Sequence, residues 1–154
     1  MKFLGLHCSL DHGRPSVLGV LVEVDDAGAE SATEVFSHVA DRHDDFALQL
    51  ATLERALEAE LALIGPDAVV VRARDFSPAG SRRKDTDHHG AVVGVLLATC
   101  RRFSESVSAM SGRVVAERCG TTKAAIEARG AALVGDSGKE AAAAALAAKE
   151  VGNA

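Results

Sequence analysis

The order of patterns along the chain predicts an α/β fold: a mixed five-stranded sheet, three antiparallel strands then alternating helix and strand, with helices on both faces. Three observations carry this. Two short apolar segments flank a turn at the start of the chain. A helical apolar period runs from Phe46 to Ile64, and a nearly unbroken apolar run, Ala68 to Ala73, comes directly after it. The 154 residues are the size of one domain, which predicts a single unit over 1–154.

Phe3 to Leu6 and Val17 to Val24 read as a hairpin with a longer loop, because Asp11-His12-Gly13-Arg14-Pro15 is turn chemistry. Asp25-Asp26-Ala27-Gly28 leads to a third strand around Thr33 to Ala40. Asp44 or Asp45 caps a helix in which Phe46, Leu50, Leu53, Leu57, Leu61 and Ile64 share one face, and Gly65-Pro66 ends it. Ala68 to Ala73 has the composition of a central strand buried on both sides. A polar loop over Asp75 to His89 precedes a helix from Gly90 to Val107 with Val92, Val93, Leu96, Leu97, Cys100 and Phe103 inward. Arg113 to Glu117 reads as a short strand. Ala- and Lys-rich helices close the chain, the last with Ser137 and Glu140 in capping-box spacing and Ala141 to Ala148 as plain helix composition.

Composition narrows the function. A net charge of -5 disfavours a dedicated nucleic-acid binder, and aromatic residues at 3%, all Phe, leave few stacking platforms for bases. Cys8, Cys100 and Cys119 form neither a CxxC pair nor a zinc spacing, so they predict reduced thiols in a cytoplasmic protein. No leader and no apolar run of roughly 18 residues is legible, so neither export nor a membrane span is expected.

The segments Phe3-Leu4-Gly5-Leu6-His7-Cys8, Val17-Leu18-Gly19-Val20-Leu21 and Pro66-Asp67-Ala68-Val69-Val70-Val71-Arg72 stand in this order, followed by the small-residue helix segment Gly90-Ala91-Val92-Val93-Gly94-Val95. They resemble the RuvC-like Holliday-junction resolvases of the ribonuclease H-like superfamily, whose strands carry "ILGIDPG", a "GYGVI"-like segment and "PDxxAIE". The resemblance implies an RNase H-like fold. In that family, several carboxylates hold two divalent ions that activate water and stabilise the leaving oxygen of a phosphodiester.

The departures alter that implication. The first-strand Asp of the family falls on His7, and its fourth-strand Glu falls on Arg72, a cation where a metal-binding anion is needed. The two late acids fall within Ala141 to Ala145 if Ala145-Leu146 matches the family's "DAL". If Gly135 to Glu140 instead matches "GxGxAxKxxV", the sequence stops before them. Arg72 shares a strand face with Val70 and Arg74, and the resemblance sets that face opposite His7. A guanidinium there needs a partner, and Asp11, Asp75, Asp136 and Glu140 are the acids expected near it.

Other constellations have plainer readings beside the functional ones. His7, Cys8, Asp11 and His12 could suggest a transition-metal site, but neighbours on a strand point to opposite faces, so a strand end and polar turn is preferred. Asp85, Asp87, His88 and His89 precede a helix, where Asp87 can serve as its cap rather than as a ligand. Arg74, Arg82, Arg83 and Lys84 are the candidate phosphate contacts, balanced by Asp75, Asp85 and Asp87.

The expected function is that of a RuvC-like protein without nuclease activity and without a cofactor. It would be a binding or assembly module engaging a protein partner, a second copy or, weakly, nucleic acid. The alternative is an active Mg²⁺-dependent, structure-specific nuclease using Asp11, Asp75, Asp87 and Glu140 as substitute ligands. A nucleotide-binding relative of the sugar-kinase and chaperone ATPase fold is disfavoured, because His7-Cys8-Ser9-Leu10 stands where that fold needs an acid and glycines.

Overall fold

The computed structural model describes residues 1–75 and 83–152, without the side chains of residues 83–85. The strands are β1 (Lys2–Asp11), β2 (Arg14–Val24), β3 (Glu30–Val39), β4 (Ala68–Arg72) and β5 (Ser106–Met110). The helices are α1 (Phe46–Ile64), α2 (Arg83–Arg101), α3 (Gly112–Arg118), α4 (Lys123–Val134) and α5 (Lys139–Gly152). One sheet has the order β3-β2-β1-β4-β5, antiparallel across β1, β2 and β3 and parallel across β1, β4 and β5. The mixed sheet read from the sequence is therefore present, with β1 rather than β4 in its middle.

The first hairpin is tighter than expected. His12 and Gly13 have φ of 49° and 82°, so they make a two-residue turn of positive φ, which suits the twist of paired strands. Pairing then runs to Asp11 and Arg14, lengthening both strands. Asp45 is the α1 cap, accepting from the Leu48 N–H at 2.8 Å, and Gly65 closes the helix at φ 58°.

Four other boundaries move. α2 starts at Arg83, so Asp87 lies inside it and caps nothing. It ends at Arg101, because the chain turns through Ser104, whose hydroxyl bonds the Asp67 carbonyl at 3.0 Å. The fifth strand is Ser106–Met110, while Arg113 to Glu117 belongs to α3, whose cap Ser111 accepts from the Val114 N–H. Val114 and Val115 gave that segment its β character, but the serine cap prevails. Ser137 lies in a 3₁₀ turn (Asp136–Gly138) that has no side-chain cap, so the capping box does not form.

Alternation divides the strands between two cores. Leu4, Leu6, Val69 and Val71 face Leu53, Leu57 and Leu61 of α1 and Leu96 of α2. Phe3, Val22 and Val70 face α3, α4 and α5. Every residue from Ala141 to Ala148 is buried, so the alanine run is a helix enclosed on all sides rather than a solvated one. Its closeness depends on Gly5: a Cβ there would lie 2.0 Å from the Ala141 carbonyl oxygen and 2.3 Å from the Ala145 nitrogen.

Candidate functional site at the ends of β1 and β4

The parallel register sets His7 of β1 beside Arg72 of β4, and the pleat turns both toward the α4 and α5 side. Arg72 is 4% exposed. Its Nη1 donates to the Ala73 carbonyl at 2.6 Å and its Nη2 to Asp75 Oδ2 at 3.1 Å, with Glu127 Oε1 at 3.6 Å. Asp75 was among the expected partners of Arg72. Glu127 was not; it lies in α4, one turn beyond Lys123.

Asp75 ties the cluster together. Its Oδ1 accepts from the Gly112 N–H at 2.8 Å, and its Oδ2 also accepts from Lys123. Burial alone would raise its pKa, but the hydrogen bonds from Lys123 and Arg72 prevail and hold the carboxyl well below the usual carboxylate range. Glu127 Oε1 is buried and accepts no hydrogen bond, with Lys123 Nζ 3.9 Å away. Gly112 leaves space for the guanidinium, since a Cβ there would come within 1.9 Å of Arg72 Nη2.

His7 Nδ1 lies 3.3 Å from Glu140 Oε2 at the start of α5. Burial lowers the His7 pKa, Glu140 opposes that, and Arg72 reinforces it; the balance favours the neutral ring. His7 also lines a cleft of about 370 Å³ with Cys8, Ser9, Leu10, Arg74 and His89. There His89 Nε2 accepts from the Arg74 backbone N–H at 3.2 Å, which puts the ring proton on Nδ1, 3.8 Å from Cys8 Sγ. Burial first, then Arg74 and His7, lowers the His89 pKa, while burial pushes the Cys8 thiol up to about 12, far from a reactive thiolate.

The remaining sequence candidates do not come together. Asp11 lies 3.2 Å from Arg14 Nη2 and 3.6 Å from Nε2 of the exposed His12 at the hairpin tip. Asp87 is exposed on α2, and His88 stacks on Phe46. The substitute ligands Asp11, Asp75, Asp87 and Glu140 thus engage Arg14, Arg72 with Lys123, solvent and His7 respectively. Among the described residues, no group of three His, Cys, Asp or Glu side chains is placed to hold a metal ion. Arg74 is exposed; Arg82 and the side chains of Arg83, Lys84 and Asp85 lie outside the described residues. The residues at the ends of β1 and β4 do not fit a divalent ion: an imidazole and a guanidinium stand where oxygen ligands are required.

No protein-family profile matches the chain, and no curated protein matches it in sequence. Solved structures do. Thermus thermophilus RuvC superposes with a TM-score of 0.73 at 14% identity, covering 99% of this chain and 96% of that one. The same protein in complex with a Holliday junction substrate gives 0.70 at 13% identity over 99% and 96%. The yeast mitochondrial Holliday junction resolvase Ydc2 gives 0.54 at 9% identity, covering 97% of this chain and 78% of that one. At such identities the likeness speaks for architecture, and it agrees with the strand order and helix layers above. The chain has the RNase H-like fold in its RuvC-like form.

Proposed function

We propose that this chain uses the RuvC-like fold without hydrolysing nucleic acid, as a binding module that needs no divalent metal. The observation behind the proposal is Arg72, a permanently charged group fixed beside His7 by Asp75 and Glu127. A cation there repels Mg²⁺, and a neutral imidazole is a poor ligand for so hard an ion.

The binding we favour is weak, salt-sensitive phosphate contact by Arg74, Arg82, Arg83 and Lys84. Arg74 supports it by its exposure at the mouth of the cleft, and the similar Thermus RuvC is seen with a Holliday junction. A partner protein or a second copy would engage the same module. A reducing, cytoplasmic setting belongs to the proposal, on the ground that Cys8, Cys100 and Cys119 form neither a CxxC pair nor a zinc spacing. No described helix is long and apolar enough to cross a membrane.

The test is incubation with branched DNA, duplex DNA and RNA–DNA hybrid in Mg²⁺ or Mn²⁺, beside a binding titration at several salt concentrations. The expected result is no cleavage, with affinity falling steeply as salt rises. Metal-dependent cleavage that copurifies with the wild type and disappears in Asp87→Asn or Glu140→Gln would refute the proposal in favour of an active nuclease. Tight binding that survives high salt would show that recognition is not through phosphates.

A further inference from the structure

We propose that Arg72 is the chain's own counter-cation, holding Asp75 and Glu127 together as a bound ion would, with Gly112 making the room it needs. The inference rests on the reading that no divalent ion works at the ends of β1 and β4, and it names what acts there instead.

Two carboxylates from separate parts of the fold converge on one nitrogen. Asp75 follows β4 and Glu127 belongs to α4, yet both approach Nη2 of Arg72, at 3.1 and 3.6 Å. Glu127 Oε1 is buried and unbonded, so the charges of Arg72 and Lys123 are what offset its desolvation. A guanidinium keeps its charge when buried, so Arg72 requires such partners. Gly112 adds a steric condition, because any side chain there would collide with Nη2. Its N–H meanwhile bonds Asp75, so one position both admits the cation and orients its main partner.

Removing the guanidinium should therefore leave Asp75 and Glu127 with Lys123 beside them, a hollow still net negative that a divalent ion can enter. Ca²⁺ suits it better than Mg²⁺, because it accepts irregular oxygen geometry. The experiment is thermal unfolding of wild type and Arg72→Met with and without millimolar Ca²⁺. Arg72→Met should melt roughly 3–10 °C lower. Ca²⁺ should recover part of that loss while leaving the wild type unmoved, because only a ligand that binds the native state raises its melting point. Adding Glu127→Gln to Arg72→Met should abolish the recovery. No Ca²⁺ response in Arg72→Met, or an equal response in the wild type, overturns the proposal. Cleavage by the wild type is a different outcome, and overturns the functional reading instead.

Should Arg72→Met fail to fold, Arg72→Lys keeps the charge and withdraws the fork. Gly112→Ala should then lower the melting temperature more in the wild type than in Arg72→Lys, where the colliding nitrogen is gone. Equal losses in the two backgrounds would show that Gly112 does not make room for Arg72.

Discussion

The two faces of the sheet are packed by opposite means. On the α1 and α2 side, Leu4, Leu6, Val69 and Val71 meet Leu53, Leu57, Leu61 and Leu96, so large side chains fill the gap between layers. On the α5 side, Gly5 lies against the backbone of Ala141 to Ala145, so main chain nearly touches main chain. Gly130 repeats the device between helices, since a Cβ there would stand 2.3 Å from the Lys139 carbonyl oxygen. A leucine interface can lose a side chain and partly relax; an alanine–glycine interface can gain nothing without the helix moving. The charged cluster sits at the open end of this second, less compliant face. The contacts that fix α5 and α4 also fix how far Glu140 and Glu127 reach toward His7 and Arg72.

That contrast can be broken by substitution. Gly5→Ala should have the largest effect, above about 4 kcal/mol, because its methyl meets backbone rather than a mobile side chain. Leu57→Ala, fully buried on the other face, should cost about 3 kcal/mol as an ordinary cavity. Urea unfolding of both variants measures the difference, and a Gly5→Ala loss no greater than that of Leu57→Ala would erase it. Arg72→Met should cost about 1–3 kcal/mol, since Asp75 keeps Lys123 and the Gly112 N–H as partners.

The smallest effect is on pH dependence, and it sharpens the contrast from the polar side. His7, His38 and His89 all have lowered pKa values, so the unfolded chain binds more protons than the folded one as pH falls below about 6.5. Stability is therefore complete above that pH, declines as each histidine is forced to charge, and levels off below their folded-state values. Asp75, also lowered, adds a second decline below the ordinary carboxyl value of 3.8. His7→Gln should make the first decline shallower. A profile unchanged by that substitution would show that His7 does not contribute to it.

Much of this was legible in the residues. The α1 face appears directly in the spacing of Leu53, Leu57 and Leu61, and β4 in its lack of polar alternation. Both are local patterns that burial enforces. β5 is not legible in the sequence because Ser106–Met110 is short and only partly buried at the sheet edge, where alternation carries little signal. Glu127 gave none: it stands in an Ala-rich helix, and only the demand of a buried Arg72 for anionic partners could have prompted a search for it.

The sequence by itself determined the order of the elements from β1 to α2, the core face of α1, and the presence of an arginine that had to find a carboxylate. Those follow from nearest-neighbour chemistry and short periods. Tertiary structure alone decided which carboxylates answered. It placed β1 in the middle of the sheet, brought α5 down onto Gly5 and α4 onto α5 at Gly130, and so carried Glu127 and Glu140 across long stretches of chain to Arg72 and His7. Such partners are set by backbone approach between distant segments, which no local pattern encodes.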